Sequence, residues 1–201
     1  MAPAAIASAM LNDTSSPLAL LETRRSAKPR ELVGPGPSAQ ELERMLTIAA
    51  RAPDHGKLAP WRFVVVGDDQ RDRLAALLQE ALAEENPGAT DAHRCKEDEF
   101  AHYAGQLVVL VSAPVPDHKI PVWEQQLSCG AACMSLLMAA HALGYVAGWV
   151  TGWRAYSERV RRAFCADGER IAGFVFIGHP GRPLEERARP KLAEVVTYWR
   201  S

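Results

Sequence analysis

The sequence is poor in the features that usually assign a protein quickly. It has four cysteines, Cys95, Cys129, Cys133 and Cys165, and no CxxC. That excludes a disulfide scaffold, and no Cys/His spacing fits a zinc site or another metal centre. Cys129 and Cys133 stand one helical turn apart, a spacing open to a redox pair or to two small buried residues on one helix face. Charge of one sign is also missing: 23 Lys and Arg against 24 Asp and Glu leave a net charge of −1, which argues against a general nucleic-acid binder. There is no Walker A sequence, no GxSxG and no HExxH. Gly34 to Ala39 formally fits GxGxxA, but it follows no strand and carries prolines at its variable positions, so a dinucleotide fold does not follow. Residues 1–16 lack the basic start and long apolar core of a signal peptide. They are expected to be a flexible leader or to reflect an alternative start, and the setting is expected to be reducing and cytoplasmic.

What is present describes one globular domain over 17–201. Apolar residues make up 48% of the 201 and charged residues 23%, so a substantial core can form. Pro17–Arg24 reads as a short helix, and 28–37 as a Pro- and Gly-rich loop. Ser38-Ala39-Gln40-Glu41 is a capping box opening a helix that Pro53 stops. WRFVVV from Trp61, QLVVLVS from Gln106, Val146–Val150 and IAGFVFI from Ile171 read as strands. Helices are expected around Leu74–Leu82, over 91–103 as a charged exposed segment, over 122–143, and after Ser157 as an N-cap. Gly178–Gly181 reads as a turn, and Val195–Tyr198 has strand character. This mixture is α+β rather than a steady βαβ alternation. Leu127 to Trp153 carries no Asp, Glu, Lys or Arg. Polar and glycine residues interrupt it, so a buried helix covered partly by a second subunit accounts for it better than a membrane span.

The chemistry-bearing residues are few and cationic. Arg24-Arg25-Ser26 sets two guanidinium groups and a hydroxyl on consecutive residues, a combination suited to a phosphate dianion. Arg51-Ala52-Pro53-Asp54-His55 adds a second cation and an imidazole about 25 residues on, with a predicted helix between. Together the two stations could hold both ends of a phosphorylated ring. The plainer alternative is that these arginines favour helix C-termini electrostatically, that Asp54 closes a turn, and that His55 satisfies a carbonyl. Trp61 and Trp123 could flank a planar ring or belong to the core. Gly148-Trp149-Val150-Thr151-Gly152 ends a strand between two glycines, where backbone can approach a ligand closely.

In this order, the RRS, RAPDH, PWRFVVV, VPVWEQ, GWVTG and IGHP segments resemble the FMN-dependent nitroreductase family, in its branch of small bacterial members. The resemblance covers about residues 17–201. It implies an intertwined homodimer with a central, mostly antiparallel sheet flanked by helices. A C-terminal extension reaches the partner subunit. FMN is expected in a cleft at the interface, held by Arg24, Arg25, Ser26, Arg51, His55, Trp149, Val150 and Thr151. Arg51 and His55 would come from the other subunit. Val150 stands where relatives have a polar residue, so a backbone contact is implied there. The implied reaction is ping-pong: hydride passes from NADH or NADPH to flavin N5, then electrons pass to a nitroaromatic, quinone or similar small-molecule acceptor. The flavin carries that chemistry, and no catalytic side chain is assigned. Lys28 and Lys57 are candidates for positive charge near the flavin N1 and O2. The alternatives are a flavin carrier or sensor without turnover, and a flavin-fragmenting or dehalogenating enzyme on the same scaffold.

Overall fold

The protein is described by a computed structural model that covers residues 10–200. Of the leader expected over 1–16, residues 1–9 lie outside this range. The elements run α1 (Pro17–Thr23), β1 (Leu32–Val33), α2 (Ala39–Ala49), β2 (Trp61–Val66), α3 (Arg71–Glu85), α4 (Asp91–Ala101), β3 (Gln106–Ser112), α5 (Val122–Ala142), β4 (Val146–Val150), α6 (Glu158–Phe164), β5 (Arg170–Pro180) and α7 (Leu192–Val195).

β5 is the hub of the sheet. It pairs antiparallel with β3, which in turn pairs with β2 at the edge, and it also pairs antiparallel with β4 and β1. The central strands are apolar on both faces because helices cover both. Alternation along them divides the core in two. Leu107, Val109, Val111, Phe174 and Phe176 face α3, α4 and α6. Val108, Leu110, Val175 and Ile177 face α2 and α5. Phe100 of α4 meets Phe174 and Phe176 edge-on, with centroids 5.4 and 5.2 Å apart.

Local chemistry accounts for the element ends. Ser38 Oγ accepts from Glu41 N, and the Glu41 carboxylate accepts from Ser38 N, so the capping box forms as the sequence predicts. Ser157 caps α6. Gln125, fully buried on α5, accepts from Val115 N at 2.7 Å and donates to Ile120 O at 3.0 Å, which ties the proline-rich loop 113–121 to the helix.

Five local expectations are corrected. The helix before Pro53 ends earlier, at Ala49. The 28–37 segment contains a short 3-10 turn and the two residues of β1. Gly178–Pro180 is not a turn: it continues β5, because β1 and β4 supply pairing partners there. The tail forms the single-turn helix α7, with no strand to pair with in the described chain. The charged helix α4 is also less exposed than its composition implies, since Glu97, Phe100 and Ala101 are buried. No described helix is long and apolar enough to cross a membrane.

Phe176 is fully buried where α4 meets the sheet. Phe176→Ala should lower unfolding free energy by about 3–5 kcal/mol, seen as a fall in the urea midpoint at unchanged slope.

Candidate functional site

Two stretches far apart in sequence meet at the first arginine cluster. The chain leaves α1 at Thr23 and turns extended at Arg24. Arg24 Nη1 donates to Ser26 Oγ at 3.1 Å, and Arg25 Nη1 donates to Ser26 O at 2.9 Å. Arg25 Nε reaches Glu185 O at 2.7 Å. From the same C-terminal segment, Arg189 Nη2 donates to Arg24 O at 3.1 Å and to Glu186 Oε1 at 2.9 Å. Arg25, Arg187 and Arg189 thus lie close enough to Arg24 for their charges to act on it, as does Glu186, whose carboxylate accepts from Arg189 Nη2 and Arg187 N. Burial, and then the neighbouring charges of Arg189 and Arg25, hold the Arg24 pKa below its ordinary value. Like charges gathered in a half-buried place favour an incoming anion. Sequence reasoning missed Arg187 and Arg189, because 182–190 has no periodicity; the run of charges from Glu185 to Arg189 was the available signal.

His141, on the last turn of α5, lies close enough to Arg24 to feel its charge. The imidazole is fully buried. Nδ1 lies 3.3 Å from Tyr145 O, and Nε2 has no hydrogen-bond partner among the described residues. Burial, with a further push from Arg24, lowers its pKa to about 4, so the ring is neutral at pH 7.

The GWVTG strand end sits beside this cluster. A Cβ at Gly148 would come within 2.6 Å of Ala27 O, so a side chain is excluded where the segment after Ser26 crosses β4. The next residue, Trp149, is partly exposed and donates from Nε1 to Ala172 O at 3.0 Å. Its indole lies over Gly173 of β5: a Cβ there would fall 2.0 Å from Nε1. Val150 packs into the core with α3 and α4, and Thr151 leads to Gly152 at φ 72.

The second station is elsewhere. His55 Nδ1 lies 2.8 Å from Glu124 Oε2, at the first turn of α5. Arg51 is exposed just beyond the end of α2. Tyr145 Oη donates to Glu41 at the other end of α2, so α2 and α5 run antiparallel. Glu124 and His141 are separated by about 25 Å at 1.5 Å per residue. A single chain therefore does not bring Arg51 and His55 to Arg24, Arg25 and Ser26. Trp61 is buried in the α2–α5 core, whereas Trp123 is exposed. Lys28 lies 3.4 Å from Glu31. Lys57 is exposed beside His55, with φ 57. Cys129 and Cys133 are buried, and burial pushes the Cys129 thiol up to about 11 and the Cys133 thiol higher still. At neutral pH both stay protonated, which disfavours redox chemistry there.

An antiparallel sheet flanked by helices on both faces is an α+β fold. The chain belongs to the nitroreductase family, whose profile matches residues 21–179. A Haemophilus influenzae protein provisionally named NAD(P)H nitroreductase is 37% identical over 184 residues, covering 90% of this chain and 98% of its own. The Escherichia coli K12 protein YdjA, with the same provisional name, is 35% identical over 185 residues at the same coverage. Among solved structures, a nitroreductase-like protein from Bacillus cereus superposes with TM-score 0.79 at 21% identity, covering 92% of this chain and 96% of that one. A provisionally named nitroreductase in complex with FMN from Desulfovibrio desulfuricans superposes at 0.68 and 21% identity, covering 92% and 97%.

Because the folded His141 pKa of about 4 lies below the ordinary 6.5, protonation favours the unfolded chain. The stability held by the neutral ring is present above pH 6.5 and is lost as pH falls towards 4, by on the order of 3 kcal/mol in all. His141→Leu should flatten that slope relative to wild type when urea midpoints are compared across the interval; carboxylates common to both proteins cancel.

Proposed function

We propose that this chain is an FMN-dependent NAD(P)H oxidoreductase that works as a homodimer and reduces a nitroaromatic, quinone or similar small acceptor. The observation that carries the reading is the crowded arginine station. Arg25, Arg187 and Arg189, from two chain segments, lie close enough to Arg24 for their charges to act on it, against the single carboxylate of Glu186, which fits a phosphate dianion and not a neutral ligand. Arg24, Arg25 and Ser26 would hold the FMN phosphate, with Arg187 and Arg189 as further donors. The Trp149 indole and the Val150–Thr151 backbone would border the ring system. Bound FMN would supply a carrier able to accept hydride from NADH or NADPH and pass the electrons on. What the chain itself contributes is binding, orientation and exclusion of water.

The two-ended layout favours two copies. The arginine station and the His55 station lie at opposite ends of α5, so two α5 helices crossing antiparallel would bring the end of one towards the start of the other. Along the outer face of α5, Trp123, Leu127 and Met134 are exposed. A Cβ at Gly130 would meet nothing within 4 Å, which leaves the middle of that stripe open. The tail likewise exposes Leu192, Val195, Tyr198 and Trp199, apolar surface of the kind that marks an interaction site. In this reading Arg51 and His55 serve the partner's flavin, the tail reaches across as the C-terminal extension, and the protein acts in the cytoplasm.

The purified protein should be yellow and should consume NADH or NADPH steadily when a quinone or nitro compound is added. A flavin-loaded protein without such turnover would make it a carrier. Arg25→Ala should weaken FMN binding roughly tenfold to a hundredfold, the equivalent of one charged hydrogen bond, measured by titrating flavin fluorescence. Sedimentation should give a dimer; a monomer that keeps its FMN would contradict the two-chain site.

A further inference from the structure

Asn12 lies upstream of the residues that match the family, which begin at 21, yet it is bonded directly to the arginine station. We propose that Asn12 is a positioning residue that locks the backbone of Arg25 and so sets the affinity for the phosphate end of the ligand. The inference rests on the FMN reading given above.

Its geometry is that of a clasp. Arg25 N donates to Asn12 Oδ1 at 2.8 Å, and Asn12 Nδ2 donates to Arg25 O at 2.9 Å. One carboxamide thus satisfies both polar backbone groups of one residue, as a strand partner would. The neighbouring atoms extend the clasp to the end of α1. Asn12 N donates to Thr23 O at 3.0 Å. Asp13 N donates to Thr23 Oγ1 at 2.9 Å, and that hydroxyl donates to Ala19 O at 2.7 Å. Asn12 itself has φ 58, a left-handed backbone that asparagine adopts more readily than most side chains.

Position explains the purpose. Arg24, Arg25, Arg187 and Arg189 repel one another, and without restraint their backbones would splay when no anion is present. Fixing Thr23 and Arg25 from one side keeps Arg25 aimed between Glu185 O and Ser26 O. An anion then meets donors already in place, and less ordering has to accompany binding. Asn12 need not touch the ligand for this to work. Its influence should fall on the phosphate and not on the ring.

The test compares FMN with riboflavin, which lacks the phosphate, on the full-length dimer. Asn12→Gly keeps the left-handed backbone accessible and deletes both carboxamide bonds. It should weaken FMN about tenfold while riboflavin binding stays at the wild-type value, which also shows that the variant is folded. Amide exchange at Arg25 in flavin-free protein should be slow in wild type and fast in the variant. If the variant keeps the wild-type ratio of FMN to riboflavin affinity, or loses both ligands alike, Asn12 is merely structural and the inference is overturned. Should wild type itself bind riboflavin as tightly as FMN, the phosphate reading fails and this inference falls with it.

Discussion

A helix cannot be shortened without giving up its hydrogen bonds, and α5 therefore works as a fixed spacer. Its 21 residues hold the His55–Glu124 pair at one end and the His141–Arg24 neighbourhood at the other. Everything proposed for the site inherits that separation. The long uncharged stretch in the sequence is the covalent expression of this spacer. It is buried on one side by the sheet and by α2, and on the other it keeps a narrow apolar stripe. Within one chain the two stations stay apart, and only in the proposed dimer would they meet.

The opposite end of the balance is repulsion. Two of the arginines are held by backbone carbonyls, Arg25 by Glu185 O and Ser26 O and Arg189 by Arg24 O, while Arg24 donates to the Ser26 hydroxyl. Carbonyl acceptors hold the guanidinium groups without cancelling their charge, which a ring of carboxylates would do. Glu186 is the one carboxylate that joins them. The station is therefore ordered and still strongly positive, a state suited to a dianion. Beneath it, a neutral imidazole adds no further charge.

Most of the architecture was legible in the chain. Four of the five strands announced themselves by apolar runs, and the Ser38 and Ser157 caps formed as written. The errors arose where tertiary pairing overrides local signals. Gly178 to Pro180 reads as a turn until β1 and β4 are available to pair with it. Phe100 draws a charged helix into the core. At the candidate site, the cluster of Arg24, Arg25 and Ser26 stood out as a candidate, because one short segment carries it. Arg187 and Arg189 were passed over despite the run of charges from Glu185, since their approach to Arg24 depends on an irregular tail folding back. The separation of the two stations was implied only by the family resemblance, because sequence distance gave no hint that the connecting helices run antiparallel.

Gly173 has a consequence for how the protein can be watched. The indole of Trp149 lies across that glycine and is tethered to Ala172 O, so the ring's tilt is dictated by the adjacent strand and not by its own rotamer preference. Nature has in effect mounted a fluorophore, half in water and half in protein, on a rigid bracket at the end of β4. In a variant stripped of the chain's other four tryptophans, light emitted from that ring would be an optical gauge of the strand end.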